Sequence, residues 1–349
     1  MKSIAIAGLG AAARRIHLPA YSGLADLKVV GGCDPEVRSG SFPFRVFGTV
    51  AEMLQTTRPD ILAVATPPGS HFALVKEGLE AGCHVFCEKP FTGSLQDAGT
   101  LCALARDAKR WIVVNTQYRF MRIHEEAKRR IGTPEFGRLL FVSAQQTFLV
   151  TEETEAGWRG RDVERTCKEF GPHVFDLCRF FFDEDPHALT ARMQREGDGE
   201  AADRLNLIQL EFSGDRTAQI VLDRLSRGPH RYLDLRLDGS AGCIETHLGG
   251  GISLSVGIRG GSRRPFASAD ASMGGWARLH QGERYRKIAA DPLDVFAEAT
   301  RRLLRSFLDA LDSGAVPPCH GDDSLRTLAL VRAAYESDSA RARVELKYA

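Results

Sequence analysis

The sequence has no long hydrophobic run, no excess of one charge and no paired-cysteine motif. No apolar segment approaches the ~20 residues that a helix needs to cross a bilayer. Its 46 basic residues nearly balance 45 acidic ones, for a formal net charge of +1. These absences argue against a helical membrane protein and against a global field that attracts nucleic acid. We therefore predict a cytoplasmic protein that binds neither nucleic acid nor membrane.

Cysteine is present but scattered, at positions 33, 83, 87, 102, 167, 178, 243 and 319. Only Cys83 and Cys87 lie close in sequence, with His84 beside them. An extended strand would hold these two thiols ~13 Å apart, too far to share one tetrahedral ion. Neither a CxxC nor an HxxxH pair completes a site. We predict reduced core thiols and no metal.

The most informative stretch is 4–19, IAIAGLGAAARRIHLP. Its apolar start predicts a buried strand, and the two glycines allow a sharp turn before a helix. The pattern GxGxxA is a form of the dinucleotide fingerprint, although alone it also fits a signal peptide or an ordinary glycine-rich turn. A second strand-like run, KVVGGC, ends at an acid suited to a ribose hydroxyl, which favours dinucleotide binding. The predicted cofactor residues are Gly8, Leu9, Gly10, Ala11, Ala12, Ala13 and Asp34.

Strand and helix patterns alternate through residues 1–118, which we take as the first domain. Further apolar runs at 61–65, 85–87 and 111–115 are separated by helical patterns, so a doubly wound parallel sheet is predicted. Ligands of such sheets bind at the carboxyl ends of the strands. This extends the predicted cofactor site to Thr66, Pro67, Pro68, His71, Glu88, Lys89 and Gln117.

Glu88-Lys89-Pro90 places a charged pair directly after a buried strand. A lysine there can hold a substrate hydroxyl or transfer a proton if burial lowers its pKa. The competing interpretation, equally weighted, is a solvated strand end.

The second domain, 119–349, has strand-like runs at 139–146, 205–212, 218–222, 232–237 and 243–247 with few helices among them, which predicts an antiparallel sheet. Residues 249–282 are rich in Gly, Ser and Arg, so loops and weak strands are expected there.

Gly171-Pro172 predicts a turn, with His173 and Asp176 in the first turn of the helix that follows. A histidine beside carboxylates can act as a general base, while a capping or core histidine is the alternative.

Together these segments resemble the Gfo/Idh/MocA-type NAD(P)-dependent oxidoreductases. The resemblance rests on GLGAAARRIHLPA, CDPEVR, ATPPGSH, CEKPF, QYRF, WRGR before KEFGPHVFDLCRF, and GDDSLRTLALVRAAYES. It implies an α/β fold: an N-terminal Rossmann domain and a C-terminal α+β domain on an open, mostly antiparallel sheet. It further implies a homodimer or homotetramer that uses this sheet.

The resemblance also implies roles for particular residues. Lys89 faces the reacting carbon, Glu88 and the Thr66–Pro68 turn lie along the cofactor, and the family's D-x-x-x-H pair falls on Glu169 and His173. Glu stands here in place of Asp, and the customary glycine run before it is replaced by RTCK at 165–168.

The predicted activity is hydride transfer between a nicotinamide and a carbinol carbon of a sugar, polyol or related small metabolite. His173 moves the hydroxyl proton, Lys89 stabilises the developing alkoxide, and Glu169 positions the pair. Asp176 is a further candidate that orients His173. Tyr118 either lines the pocket or packs in the core.

Asp34 would repel a 2′-phosphate and so favours NAD, while Arg38 could offset that repulsion and admit NADP. Arg159 is a candidate for binding an anionic substrate group, against the alternative of a solvated charged loop.

Two rival functions stay open. One is a non-catalytic nucleotide-binding sensor or regulatory protein, and the other is a reductase of a cyclic imine or tetrapyrrole-like substrate.

Overall fold

The fold is built on two large sheets with helices packed against them. The computed structural model describes residues 1–37, 40–151, 162–195, 201–228, 230–249, 251–258, 265–272 and 274–348. Arg38 and Arg159, both predicted above to bind ligands, lie outside the described residues.

In the described residues the first sheet has six parallel strands, all of which fall within the first third of the chain. They are β1 (Lys2–Ala7), β2 (Leu27–Cys33), β3 (Val46–Phe47), β4 (Ile61–Val64), β5 (His84–Cys87) and β6 (Ile112–Val114). Their order is β3-β2-β1-β4-β5-β6, so the predicted doubly wound sheet is confirmed. The winding reverses between β1 and β4, and a crevice opens there at the carboxyl ends of the strands.

Helices connect these strands. A π-helical turn (Ala13–His17) leads into α1 (Leu18–Ser22), followed by α2 (Val50–Thr57), α3 (His71–Glu80) and α4 (Leu95–Asp107). Two short 3-10 turns, Pro68–Ser70 and Gln117–Phe120, follow β4 and β6. Ser94 caps α4, and its hydroxyl accepts from Asp97 N at 3.1 Å.

The second sheet has nine strands in the part of the chain that the structure describes. They are β7 (Leu139–Thr147), β8 (Ala188–Arg195), β9 (Asp203–Phe212), β10 (Arg216–Asp223), β11 (Arg231–Gly239), β12 (Cys243–Leu248), β15 (Gly275–Gln281), β16 (Arg284–Asp291) and β17 (Val344–Glu345), with β13 (Gly251–Ile258) and β14 (Pro265–Ser272) as a separate hairpin. The order is β16-β15-β12-β11-β7-β10-β9-β8-β17. Only β7 and β10 pair in parallel among these described strands, so the prediction of a mostly antiparallel sheet is confirmed.

Four further helices complete the described fold: α5 (Arg122–Arg130), α6 (Thr166–Phe182), α7 (Val295–Ser313) and α8 (Gly321–Ala340). Val174 and Phe175 of α6 and Val331 of α8 belong to the core of the second sheet. Helix α7 packs Leu303 and Phe307 against the strands of the first sheet. The carboxyl ends of β1, β4 and β5 are thereby held facing α6.

The turn predicted at Gly171-Pro172 is wrong, because both residues lie inside α6. The helix begins earlier since the Asp203 carboxylate accepts from Arg165 N at 2.5 Å and from Cys167 N at 3.0 Å. The capping carboxylate belongs to β9, so the sequence around the start of α6 does not indicate it. Pro172, inside the helix, instead suggests a helix boundary, because proline usually interrupts a helix. His173 and Asp176 therefore lie within the helix and not in its first turn.

The expectation of loops and weak strands over 249–282 is wrong for β15. This strand pairs with β12 in the second sheet, and Ala277 and Leu279 are buried in alternation with Trp276 and Arg278. The alternation of apolar and polar residues that is typical of a strand is present in this segment. It was overlooked because the surrounding stretch is rich in glycine, serine and arginine. Residues 250, 259–264 and 273 of this stretch lie outside the described residues.

Candidate active site

The loop after β1 exposes bare backbone at the carboxyl edge of the sheet. Gly8 has φ +89°, and a Cβ there would lie 2.7 Å from the Ala65 carbonyl oxygen, so only glycine fits. At Gly10 a Cβ would meet no described atom within 4 Å. Gly10 and Ala11 are exposed, whereas Leu9 is fully buried and anchors the loop. The result is an uncovered cradle that suits a pyrophosphate.

Asp34 follows β2 beside this loop. Its carboxylate accepts from Leu9 N at 2.8 Å and from Glu36 N at 2.9 Å. The acid therefore holds the glycine loop in shape, and its charge stands where a dinucleotide fold places the adenosine ribose.

A cavity of about 320 Å³ lies between the first sheet and α6. It brings together the residues predicted after β4, β5 and β6 with those of the second domain. Its lining residues are Ala12, Ile16, Ala65, Thr66, Pro68, Glu88, Lys89, Pro90, Gln117, Tyr118, Glu169, Phe170, His173, Tyr232 and Phe296.

Lys89 and His173 meet in this cavity from opposite domains. Lys89 Nζ donates to the Glu169 carbonyl oxygen at 2.9 Å. The His173 ring stacks on Tyr118, with centroids 3.9 Å apart and planes inclined by 5°. Burial, and then the charge of Lys89, hold the pKa of His173 well below its ordinary value. The imidazole is therefore neutral at neutral pH and able to accept a proton.

Glu88 points into a polar network beneath the cavity. Its Oε1 lies 2.7 Å from His17 Nε2 and accepts from Asn115 Nδ2 at 2.7 Å. His17 Nδ1 lies 2.7 Å from the Tyr21 hydroxyl. These partners outweigh burial and lower the pKa of Glu88 to about 2. The carboxylate is charged and connects the first helix to the strand end that carries Lys89.

Glu169 lies one helical turn before His173 and also lines the cavity. Its Oε2 is 3.5 Å from Arg165 Nε and 3.9 Å from Arg224 Nη2. The predicted Glu169 and His173 pair is therefore brought to one cavity, with arginines beside the acid.

Asp176 is paired with an arginine and not with His173. Arg119 holds its carboxylate through both Nε and Nη2, and Asp323 lies 3.0 Å from the same guanidinium. His173 Nδ1 is buried and has no hydrogen-bond partner among the described residues. Asp176 thus belongs to an ion-pair cluster and makes no described hydrogen bond to His173.

His71 is also withdrawn from the crevice. Its ring is fully buried, with Nδ1 2.8 Å from the Pro90 carbonyl oxygen and Nε2 2.9 Å from that of Thr66. It joins the turn after β4 to the turn after β5. Pro67, by contrast, is exposed at the mouth of the crevice.

Sequence reasoning missed several residues at or behind the cavity wall, among them Tyr232, Phe170 and Arg224. Tyr232 packs against Phe296 with ring centroids 5.2 Å apart, and Arg224 stacks on Phe170 with its guanidinium carbon 3.4 Å from the ring centroid. Tyr232 and Arg224 come from the strands of the second sheet. No spacing in the sequence relates Tyr232 and Arg224 to the cavity. Phe170 could have been noticed, because it directly follows Glu169 in the sequence.

Comparison with known proteins matches the chain to two family models. Residues 2–116 match the oxidoreductase family with an NAD-binding Rossmann fold, and residues 124–245 match the GFO/IDH/MocA C-terminal domain. The D-apiose dehydrogenase of Paraburkholderia graminis is 27% identical over 347 residues, covering 95% of this chain and 87% of that protein. The inositol 2-dehydrogenase of Rhizobium meliloti is 24% identical, covering 95% and 96% of the two chains.

A solved structure of similar fold is an oxidoreductase from Agrobacterium radiobacter in complex with NAD+, L-tartaric acid and magnesium. It has a TM-score of 0.81 and 20% identity, and the match covers 99% of this chain and 98% of the other. The fold, the glycine cradle and the family models together define an NAD-binding oxidoreductase. The chain belongs to the Gfo/Idh/MocA family, as its sequence motifs predicted.

Among the described residues, every helix is too short or too polar to cross a bilayer.

Proposed function

We propose that the protein is a dehydrogenase that transfers a hydride between NAD and a carbinol or carbonyl carbon of a sugar, polyol or related small metabolite. The observation that carries the proposal is the meeting of Lys89 and His173 in one cavity at the carboxyl edge of the first sheet. Relatives that share most of the chain length are named as dehydrogenases of apiose and inositol. These names support a polyhydroxylated substrate.

The residues present fit the dinucleotide. The bare backbone at Gly10 would receive the pyrophosphate, and Asp34 would accept from a free ribose 2′-hydroxyl while repelling a 2′-phosphate. Thr66, Pro68 and Gln117 continue this path to the cavity. NAD, when bound, supplies the hydride acceptor.

The chain's own side chains supply the proton chemistry. Because His173 is neutral and its Nδ1 is enclosed, Nε2 is the ring nitrogen that takes the substrate hydroxyl proton. The Lys89 ammonium, held by the Glu169 carbonyl, stabilises the alkoxide that forms as the proton leaves. Tyr118 fixes the imidazole plane by stacking. Glu169 completes the polar wall that orients the hydroxyls of the substrate.

The test is turnover of NAD by the purified protein with a panel of sugars, polyols and sugar acids, for the wild type, Lys89→Met and His173→Asn. Each substitution is expected to lower kcat by ~10²- to 10⁴-fold, the usual contribution of a positioned acid or base. The affinity for NAD, measured by fluorescence titration, should stay within ~3-fold, since neither side chain forms the glycine cradle.

Lys76→Met and His187→Asn are matched controls, because both side chains are substantially exposed and lie outside the cavity lining. Both controls should keep wild-type turnover. Undiminished turnover in the Lys89 and His173 variants would refute the proposed roles. Tight NAD binding without turnover of any compound would instead indicate the sensor.

We further propose that copies of the chain associate through the outer face of the second sheet. Helices α6 and α8 pack on one side of this sheet, whereas Trp276 and His247 stack on each other on the outer side.

The eight cysteines, all within the described residues, form no disulfide, which suits a reducing compartment, and we propose a cytoplasmic location.

A further inference from the structure

Arg224 is a buried cation whose Nε and Nη2 edge has no hydrogen-bond partner within the described part of the chain. It follows β10 and is only 6% exposed. Its guanidinium contacts two aromatic rings, with its carbon 3.9 Å from the Phe148 centroid and 3.4 Å from the Phe170 centroid. Nε and Nη2 are both buried and find no hydrogen-bond partner among the described residues. Glu169 approaches this edge with one oxygen, at 3.9 Å, beyond hydrogen-bond distance.

Two other arginines that are buried or nearly buried, Arg179 and Arg119, have hydrogen-bond partners for their guanidinium groups. Arg179 is as buried as Arg224, yet it hydrogen-bonds Asp185, Asp323 and Thr327. Arg119 uses its Nε and Nη2 edge to hold the Asp176 carboxylate. Leaving the same edge of Arg224 unbonded is costly, because buried polar groups nearly always have partners. Burial accordingly lowers the pKa of Arg224 to about 9, against the opposing effect of Glu169.

The aromatic surroundings of Arg224 provide no acceptor for its hydrogen-bonding edge. Phe148 and Phe170 meet edge to face, with centroids 5.4 Å apart, and they contact the guanidinium without enclosing it. A planar carboxylate matches that edge with two parallel bonds. Glu169 and Phe170, which both contact Arg224, line the cavity that holds Lys89 and His173.

We propose that Arg224 recognises a carboxylate of the substrate, so that the substrate class is sugar acids and not neutral sugars. This inference rests on the proposed function, since it concerns the same cavity. The carboxylate accepts from Nε and Nη2 beside Glu169, and a hydroxyl of the same molecule reaches Lys89 and His173. Arg224 is then a specificity residue that takes no part in proton transfer.

The experiment compares binding of gluconate with binding of glucitol to the NAD-loaded protein by calorimetry. Three variants accompany the wild type: Arg224→Gln removes the charge, Arg224→Lys keeps the charge without the planar fork, and Arg216→Gln is the control. Arg216 lies at the other end of β10, paired with Glu184. Urea unfolding verifies that each variant folds.

We expect the wild type to bind gluconate more tightly than glucitol. Arg224→Gln should weaken gluconate binding by about 100-fold, the scale of a lost charge-assisted pair, and leave glucitol within ~3-fold. The gluconate affinity of Arg224→Lys should lie between those of the wild type and Arg224→Gln. This variant therefore tests the inference even if Arg224→Gln does not fold. Arg216→Gln should match the wild type.

Two results would overturn the inference: equal binding of gluconate and glucitol by the wild type, or an equal loss of both in the Arg224 variants. The outcome is separable from that of the proposed function. If no compound is turned over, the dehydrogenase proposal fails, while the calorimetric preference for the acid still decides the role of Arg224.

Discussion

Replacing Glu88 with glutamine tests whether the network beneath the cavity depends on a charged carboxylate. Folding lowers the pKa of Glu88 from 4.5 to about 2. At ~1.36 kcal/mol for each pKa unit, this difference corresponds to ~3 kcal/mol in favour of the ionised group in the folded state. Glutamine keeps the shape of the side chain but carries no charge for His17. We therefore expect Glu88→Gln to lower the free energy of unfolding by ~3 kcal/mol near neutral pH.

The same linkage fixes the pH dependence. The folded pKa of this carboxyl is below its unfolded value, so its stabilisation is fully present above pH 4.5 and is lost as the pH falls towards 2. The difference between wild type and Glu88→Gln should therefore shrink in acid, to less than half of its neutral value by about pH 3. A defect of packing alone would be independent of pH.

The assay is urea unfolding followed by circular dichroism, from neutral pH down to about pH 3. Glu80→Gln serves as the control, because Glu80 forms an exposed ion pair with Lys76 and should contribute less than ~1 kcal/mol. A loss below ~1 kcal/mol for Glu88→Gln at neutral pH, or a loss that does not diminish in acid, would refute the reasoning.

Two further predictions concern the cofactor and the assembly. Asp34→Ser removes the charge that repels a 2′-phosphate, so the ratio of kcat/KM for NADP to that for NAD should rise by about 10-fold or more; an unchanged ratio would contradict the assigned role. Trp276→Asp places a charge on the outer face of the second sheet, and light scattering should then report a smaller mass than for the wild type. If the variant and the wild type have the same mass, copies do not associate through this face.

The parallel sheet could be predicted because its signal is local. Strands buried on both faces are continuous apolar runs, and Ile61, Leu62, Ala63 and Val64 are all fully buried. The glycine cradle was likewise readable, because the φ of Gly8 and the close approach of Ala65 can be met only by glycine. In each case the pattern that permits the prediction lies within a short run of the sequence, even though the contact with Ala65 that requires Gly8 comes from a distant residue.

What could not be predicted depends on residues far apart in the sequence. The start of α6 is set by Asp203, and the Arg224 site is assembled from Phe148 and Phe170 on other elements. A proline within α6 even pointed to the wrong boundary. Periodicity identifies the face that an element buries, but it does not identify the partner that the element meets.

Asp176, a candidate for orienting His173, is held by an ion pair with Arg119 and makes no described hydrogen bond to His173. It lies on α6 one turn after His173, and its partner Arg119 follows Tyr118, the residue whose ring stacks on His173. The ion pair and the ring stack therefore join the same two segments side by side. Burial raises the pKa of Asp176 against the opposing effect of Arg119, so the pair stabilises the fold less than its short contacts suggest. We propose that the ion pair fixes the position of the imidazole relative to Lys89, because acid–base chemistry depends closely on the geometry of its groups.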